Sequence, residues 1–318
     1  MKEFPGEFLR WEITSECTLQ CEHCYLEKNT WSMQNIEKKR IAQILDSLEK
    51  YQPLKILFLG GEPFERDDFI EILEMASERG FDVSVDTSGH MLDRDKIDRL
   101  ADIDAGLNIS MYGFEPDIND YFTYEGHFRD VEDILEYCRS VGLSVDIAFL
   151  LTRINYSQLY SIDDFVKKYG IEKVHLDVYM NYSRSVDKFE LSYPQFIKFW
   201  LFQRFYRHYP SAHADSSSLN ILKNSTKVSP CERNVAPLIK PNGEVWPCMF
   251  YGSSIGSLKE VSMDEIIERF SDFRFQEEKC IDCIKTKIPK SYRLKNGILE
   301  KVLYYLHRYY NILVNRML

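Results

Sequence analysis

Three cysteines lie within eight residues near the start of the sequence, at Cys17, Cys21 and Cys24. Three closely spaced thiolates can hold three corners of a cubane iron–sulfur cluster, which is normally held by four cysteines. The missing fourth ligand leaves one iron with an open position, and an open position is typical of a catalytic metal site rather than a structural one. The alternative is a zinc site that recruits His23 or a distant cysteine.

Four more cysteines form a second group in the last third of the chain, at Cys231, Cys248, Cys280 and Cys283. In a reducing compartment, clustered cysteines indicate metal binding rather than disulfides. These four thiols suit either one further iron–sulfur cluster or a zinc ribbon. The eighth cysteine, Cys138, shares an apolar helical face with Ile134 and Leu135, so we expect it to pack in the core.

The composition excludes some classes of protein. The chain has 318 residues, of which 44% are hydrophobic, so it can bury a large core, and its formal net charge of −10 argues against general nucleic-acid binding. No signal-peptide pattern is present, and no run reaches the roughly 18 apolar residues that span a membrane. The sequence therefore predicts a cytoplasmic protein.

Strand-like apolar runs alternate with helical patterns six times between Phe8 and Met180. Repeated β/α units with short connections are typical of a parallel sheet wrapped by helices. Six units are too few for a full barrel of eight strands, so we predict an α/β fold with a partial (β/α)6 TIM-like barrel. Functional residues of such folds gather at the carboxyl ends of strands, and both the cysteine loop and the Gly60-Gly61-Glu62 turn follow strands.

The pattern changes after the barrel. The stretch around Tyr209 to Ser218 has loop composition, and Asn242-Gly243 between two short apolar runs is a strong hairpin signal. A helix at Met263–Phe270 follows. We therefore predict three parts: a core over residues 1–219 (barrel to about 182, then a linker helix region), a small α/β-hairpin domain over 220–290, and a C-terminal helix over 291–318.

The C-terminal segment differs in charge from the rest of the chain. From Ile284 onward it carries eight Lys or Arg residues and one Glu, and its apolar residues recur at helical spacing. A basic amphipathic helix either packs on an acidic body or makes a weak peripheral contact with an anionic membrane. Both alternatives stand.

Taken together, these motifs resemble the radical S-adenosylmethionine (SAM) superfamily. The resemblance covers about residues 8–182 and rests on the cysteine loop with Tyr25 after its last cysteine, on Gly60-Gly61-Glu62-Pro63, and on two strand ends, Asp86-Thr-Ser-Gly89 and Ile109-Ser-Met-Tyr-Gly113. It implies a 4Fe–4S cluster on Cys17, Cys21 and Cys24 that binds SAM and cleaves it reductively to a 5′-deoxyadenosyl radical, which abstracts a substrate hydrogen atom.

The resemblance also implies roles for residues around the cofactor. The Gly60 and Gly61 backbone would approach the methionine moiety, since neither residue has a side chain. Glu62 would accept from its ammonium group, Ser110 would bond the ribose or carboxylate, and the backbone after Tyr25 would meet the adenine. The ordinary alternative for the glycines is a tight turn, and for Ser110 a turn cap.

The second domain resembles the SPASM and twitch extensions, which hold auxiliary iron–sulfur clusters. No cysteine follows Cys283, so the chain is similar to the shorter twitch form, with Cys231, Cys248, Cys280 and Cys283 holding one second 4Fe–4S cluster. An auxiliary cluster suits net oxidation or cross-link formation, and it could equally be structural. Epimerisation, which often uses a free cysteine, is less favoured because only Cys138 is uncommitted.

Strand alternation predicts a polar barrel lumen with Asp86, Asp177 and Tyr179 near the substrate, the alternative being solvated strand ends. The resemblance implies a peptide or a polar small molecule such as a sugar or cyclitol as substrate, and an external one-electron donor of flavodoxin or ferredoxin type. Only about ten residues precede the first motif strand, which argues against a fused leader-peptide-binding domain. A zinc-binding barrel and ribbon protein without radical chemistry is the rival hypothesis.

Overall fold

The computed structural model describes most of the barrel and part of the region that follows it. The residues described are 4, 8–19, 21–26, 33–51, 54–179, 187–192, 194–195, 198–199, 212–214, 236–249, 251 and 253–273. The predictions for Cys231, Cys280 and Cys283, for most of the linker helix region and for the C-terminal helix over 291–318 lie outside these residues.

Six parallel strands follow one another along the chain and also lie in that order in the sheet. Each is separated from the next by at least one helix, so every connection is a β/α crossover. The predicted α/β fold with a partial (β/α)6 barrel is confirmed. The strands are β1 Phe8–Thr14, β2 Lys55–Gly60, β3 Asp82–Thr87, β4 Gly106–Met111, β5 Val145–Leu151 and β6 Val174–Val178.

The helices between these strands bury one apolar stripe each. In α5, for example, the buried residues include Val131, Ile134, Leu135 and Cys138, which recur at the spacing of one helical face. The predicted packing of Cys138 in the core is thus confirmed. The helices are α1 Lys38–Leu48, α2 Phe69–Glu78, α3 Arg94–Asp102, α4 Pro116–Phe122, α5 His127–Val141 and α6 Ile162–Tyr169.

The two faces of the sheet differ in character because side chains alternate along each strand. The helix-covered face carries residues such as Trp11, Phe58 and Ile109, which are fully buried in the hydrophobic core. The opposite face, which we call the inner face, carries Arg10, Glu12, Thr14, Ser84, Asp86, Asn108, Ser110, Asp146, His175 and Asp177. The inner face is therefore predominantly polar.

Two strands extend the sheet beyond the predicted six. The first, β7 (Ala212–Ala214), pairs parallel with β6 inside the stretch that the sequence indicated as a loop. The second, β8 (Leu238–Ile239), pairs parallel with β1 at the other edge. Three residues or fewer are too short for a periodicity signal, so both strands depend on pairing with a longer neighbour. Helix α4 begins at Pro116, which occupies a favoured first helical position.

The predicted hairpin about Asn242-Gly243 forms, and it continues the barrel sheet instead of standing apart from it. Strand β8 pairs antiparallel with β9 (Glu244–Trp246), which pairs with β10 (Gly256–Ser257). Helix α7 (Met263–Ser271) follows and contacts the region of α1, where Tyr51 donates to Asp264 at 2.9 Å. In the part of the chain described, no helix is long and apolar enough to cross a membrane.

Candidate active site

The cysteine loop begins where β1 ends, at the carboxyl edge of the sheet. Cys17, Cys21 and Cys24 are half-buried there, and the Cys24 amide donates to the Cys21 carbonyl at 3.3 Å. Burial raises the pKa of the Cys17 thiol to about 12, and the carboxylates of Glu65 and Glu62 add to the shift. Without a cation, Cys17 therefore remains a neutral thiol at physiological pH, and a bound metal would supply the charge that favours its thiolate.

The donor set of this loop suits a cluster with one open iron. Cys17, Cys21 and Cys24 lie on one short loop and are all half-buried, so three thiols are available at this edge of the sheet. In a cubane cluster each cysteine binds a different iron, so three cysteines would leave the fourth iron open.

The glycine turn after β2 is fastened to the cysteine loop by backbone contacts. Gly61 donates its N–H to the Thr14 carbonyl at 2.9 Å, and Glu62 donates to the Glu16 carbonyl at 2.7 Å. A Cβ atom on Gly60 would lie 2.4 Å from the Thr14 oxygen, and one on Gly61 would lie 2.0 Å from the Glu16 oxygen. The backbone of the cysteine loop thus leaves no room for a side chain at either position. This requirement for glycine holds with or without a bound ligand.

Glu62 is buried, at 1% exposed, and its carboxylate is bonded by the end of β3. Its Oε1 accepts from Thr87 Oγ1 at 2.6 Å and from the Phe64 amide at 3.3 Å, and its Oε2 accepts from the Ser88 amide at 2.9 Å and Ser88 Oγ at 2.7 Å. Four donors offset the cost of burying the charge and hold the carboxylate in one orientation. Thr87 and Ser88 were part of a recognised strand end, but their contact with Glu62 requires the fold.

A histidine that the sequence did not single out links Glu62 to the cysteine loop. His90 Nδ1 lies 2.6 Å from Ser88 Oγ, and His90 Nε2 lies 2.9 Å from Thr18 Oγ1. Since the single Ser88 hydroxyl proton goes to the Glu62 carboxylate, which can only accept, His90 Nδ1 must be the donor to Ser88. The amide of Thr18 in turn donates to Glu65. The end of β3 and the turn after β2 therefore hold the loop on one side.

Three carboxylates of the inner face lie in one layer of the sheet. Asp86, Asn108 and Asp146 are register partners across β3, β4 and β5, and Glu12 is the partner of Leu59 on the neighbouring β2. Lys240 Nζ lies 2.8 Å from both oxygens of Glu12, which also accepts from Tyr25 Oη at 3.3 Å. The remaining contacts of the layer are His175 Nε2 with Asp146 at 3.0 Å and Asn108 Nδ2 with Asp86 at 2.7 Å.

The electrostatics of the layer differ from one carboxylate to the next. The hydrogen bond to Asp146 raises the pKa of His175, which favours its charged form beside that carboxylate. Burial raises the pKa of Asp86, and the hydrogen bond from Asn108 opposes this shift only in part. Burial also raises the pKa of Tyr25 well above its usual value, so the side chain is a neutral donor to Glu12.

An aromatic group covers the other side of the cysteine loop. Tyr112, at the end of β4, stacks on Phe122 with ring centroids 5.3 Å apart, and His23 of the loop lies 4.3 Å from Tyr112. Tyr179 packs edge-on against Phe189 at 5.4 Å in the same group. Burial raises the pKa of Tyr112, and negative charge on the three cysteines would raise it further, so these rings lie close to the thiols.

The residues predicted near cofactor or substrate fall in different parts of this site. Asp86 lies in the inner-face layer, whereas Tyr179 is buried in the aromatic group. Ser110 is half-buried on the inner face opposite Ala148, and Asp177 is exposed on β6. Tyr25 reaches the layer through Glu12. Of the second cysteine group, Cys248 is half-buried just after β9.

Comparison with known families gives two matches. The model of the radical SAM superfamily matches residues 11–166, and the model of SPASM, an iron–sulfur cluster-binding domain, matches residues 216–284. The matches fall in the order that the motifs predicted. The first covers the cysteine loop, the glycine turn and most of the inner face.

Individual relatives are distant. The chain is 31% identical to the PqqA peptide cyclase of Bradyrhizobium diazoefficiens over 159 residues, 48% of this chain and 40% of that protein. It is 29% identical to the mycofactocin maturase MftC of Mycobacterium tuberculosis over 164 residues, 51% of this chain and 42% of that protein. These matches span less than half the length of either relative.

Solved structures share the fold. Streptococcus suis SuiB bound to its precursor peptide SuiA superimposes with a TM-score of 0.68 at 18% identity, over 89% of this chain and 70% of that one. At this level of identity, the similarity shows the architecture alone.

Proposed function

Because this chain belongs to the radical SAM superfamily and carries a SPASM-type domain, we propose that it is an enzyme that modifies a peptide by hydrogen-atom abstraction. The observation that carries the proposal is the three-thiol loop, which backbone bonds fasten to the Gly60-Gly61-Glu62 turn above a polar inner face. A peptide is favoured over a sugar or cyclitol because the similar proteins include a PqqA peptide cyclase and SuiB bound to a precursor peptide. Oxidation and cross-linking both remain within the proposal.

The residues present suit the first cofactor set. Cys17, Cys21 and Cys24 would hold a 4Fe–4S cluster, since they present three half-buried thiols on one loop at the carboxyl edge of the sheet. When bound, the cluster and SAM supply an electron and a 5′-deoxyadenosyl radical that can remove a hydrogen atom from an unactivated C–H bond. The protein contributes position and a dry environment. The aromatic group of Tyr112, Phe122, Tyr179 and Phe189 would keep water from one side of the loop.

Glu62 is the proposed acceptor for the ammonium group of SAM. Its orientation is fixed in advance by Thr87 and Ser88, so little side-chain entropy would be lost when an ammonium group arrives. Gly60 and Gly61 leave the adjoining backbone without side chains. Ser110 and the backbone after Tyr25 are the proposed contacts for the ribose or carboxylate and for the adenine.

In the second half of the molecule, Cys248 is half-buried beside the hairpin. Cys248 ends the hairpin that pairs with β1, so a cluster held by Cys231, Cys248, Cys280 and Cys283 would lie on an extension of the barrel sheet. Such a cluster would accept the electron released by an oxidised substrate or act as a structural cross-link. The boundaries at 219 and 290, the flavodoxin- or ferredoxin-like donor, the cytoplasmic location and the membrane contact of the last helix are further parts of the proposal.

The test is anaerobic reconstitution of the full chain with iron and sulfide. We expect about eight irons per chain, the content of two cubane clusters, and release of 5′-deoxyadenosine from SAM under reducing conditions. The variants Cys17→Ala, Cys21→Ala and Cys24→Ala should abolish release, whereas Cys138→Ala, which removes a core thiol, should retain both clusters. Continued SAM cleavage by the three loop variants would refute the proposal, and a content of about four irons would refute the second cluster.

A further inference from the structure

The three carboxylates of the inner-face layer are not equally compensated. Glu12 is 2% exposed and has Lys240 at 2.8 Å, and Asp146 has His175 at 3.0 Å. A buried carboxylate is costly unless it is paired or fully hydrogen-bonded, so the burial of Glu12 requires its pairing with Lys240. Asp86 lies in the same layer between them and has no equivalent partner among the residues described.

The described neighbours of Asp86 confirm this difference. Asn108 donates one hydrogen bond at 2.7 Å, and no ion pair joins Asp86 to any cation with a described position. Arg10 is the first of the cations whose charge lowers the pKa of Asp86. Its guanidinium group lies over the Phe8 ring, with Cζ 4.7 Å from the ring centroid, and forms no ion pair with Asp86. His175 is bonded to Asp146. Among the residues described, the Asp86 carboxylate therefore accepts a hydrogen bond from the neutral Asn108 amide, and the cations that attract it lie beyond ion-pair distance.

Two further polar atoms beside Asp86 lack hydrogen-bond partners among the residues described. Asn108 Oδ1 and Ser84 Oγ are both buried, and Ser84 as a whole is only 7% exposed. Buried polar atoms are paired in the large majority of cases. Ser84 lies two residues before Asp86 on the same inner face, and Asn108 is the register partner of Asp86. Three residues with oxygen atoms that can accept hydrogen bonds thus share this part of the inner face.

A carboxylate and two neutral oxygens are complementary to a positively charged group with several N–H donors. We propose that Asp86, Asn108 and Ser84 form a subsite for a cationic side chain, an ammonium or guanidinium group, of the peptide substrate. The inference rests on the proposed function, because it assigns the residue type that the peptide presents to the lumen. The subsite adjoins the cysteine loop, since Glu12 in the same layer is bonded by Tyr25.

The experiment measures binding rather than turnover. Capped peptides of sequence Gly-Gly-Xaa-Gly-Gly, with Xaa as lysine, arginine, norleucine or citrulline, are titrated into the reconstituted full chain with SAM by anaerobic calorimetry. We expect the lysine or arginine peptide to bind at least about tenfold more tightly than its uncharged counterpart. The ratio of lysine to arginine affinity distinguishes an ammonium from a guanidinium site.

Variants assign the preference to the subsite. Asp86→Asn should reduce the charge preference to within about twofold, while Asp82→Asn, on the same strand and exposed, should leave it unchanged. Ser84→Ala removes only a hydroxyl and should weaken the charged peptide by about threefold, which provides a second reading if Asp86→Asn does not fold.

Three results would overturn the inference. One is equal affinity of charged and uncharged peptides for the wild-type chain, and another is an intact preference in Asp86→Asn. The third is a loss of SAM affinity in Asp86→Asn with the peptide preference retained, which would assign the carboxylate to the cofactor. Failure of the wild-type chain to cleave SAM contradicts the proposed function instead, so the two failures are distinguishable.

Discussion

Glu62 follows the end of β2 and Asp86 lies near the end of the neighbouring β3, yet the protein surrounds these two carboxylates differently. Glu62 receives four hydrogen bonds from Thr87, Ser88 and Phe64. Among the residues described, Asp86 receives one, from Asn108, and burial raises its pKa. Within that part of the chain, Glu62 is therefore held by its neighbours, whereas Asp86 can accept further hydrogen bonds.

The difference shows how the fold can serve two ligands. A carboxylate with fixed orientation suits a constant partner, because its geometry need not change from one substrate to the next. A carboxylate with an unsatisfied environment carries a stability cost, and binding of a complementary ligand removes that cost. We therefore associate Glu62 with the cofactor and Asp86 with the substrate.

The largest effect should come from breaking the support of Glu62. In Gly61→Ala, the new Cβ would lie 2.0 Å from the Glu16 carbonyl oxygen, and neither backbone can move without displacing the cysteine loop. We expect a loss of at least about 3 kcal/mol in the free energy of unfolding and a loss of the first cluster, measured by denaturation and iron content. Gly142→Ala, where no atom lies within 4 Å but φ is +79°, should cost only about 1–2 kcal/mol and keep its iron. Equal costs for the two variants would contradict the backbone contact.

The next largest effect is expected when Glu12 loses its ion-pair partner, Lys240. Lys240→Met keeps most of the side-chain volume but removes the cation that lies 2.8 Å from Glu12. Because the pair is largely buried, we expect a loss of about 3 kcal/mol in the free energy of unfolding. The double variant Glu12→Gln with Lys240→Met should recover most of that loss in a double-mutant cycle. Additive losses would show that Lys240 acts through Trp246, whose ring it covers, and not through Glu12.

The sequence predicted the motifs at both sites but not their contacts. The buried strand before Gly60-Gly61-Glu62 and the cysteine loop were evident because each is a local pattern. The bond from Ser88 to Glu62 spans 26 residues and the Lys240–Glu12 pair spans 228, so both depend on strand order. Strand alternation placed Asp86 on the polar face, since a period of two is fixed by the backbone.

The features that the sequence did not predict have the same origin. Strands β7 and β8 are too short for a periodicity signal, so the pairing of β7 with β6 and of β8 with β1 appears only in the fold. His90 was missed because a lone histidine in a turn has no pattern, and its role appears only through Ser88 and Thr18. The contact of Tyr179 with Phe189 could not be predicted either, because Tyr179 lies just beyond the end of β6 and the two residues are ten positions apart.

A smaller effect is expected at Glu62 itself. Glu62→Gln places an amide N–H₂ group where the wild-type carboxylate accepts from fixed donors, the amides of Phe64 and Ser88. At least one donor would face another donor, so we expect a loss of about 2 kcal/mol in the free energy of unfolding together with weaker SAM binding. Thr87→Val removes one hydroxyl donor and should cost about 1 kcal/mol. A Glu62→Gln variant as stable as the wild type would mean that Glu62 is not fixed by its neighbours.

The smallest effect is expected for Asp86→Asn, and it should be a gain in the free energy of unfolding and not a loss. Since burial raises the pKa of Asp86, the folded state binds its proton more tightly than the unfolded state, and stability falls as pH rises from the ordinary value of 3.8 through the raised pKa. Asp86→Asn removes this penalty, so the substrate-free variant should be more stable than the wild type at pH 7.5. The difference should shrink as the pH falls towards 4. A saturating lysine peptide should reverse the order of thermal stabilities, because only the wild type gains from pairing with it. A destabilised Asp86→Asn variant without peptide would show that Asp86 is structural, and the contrast with Glu62 would no longer hold.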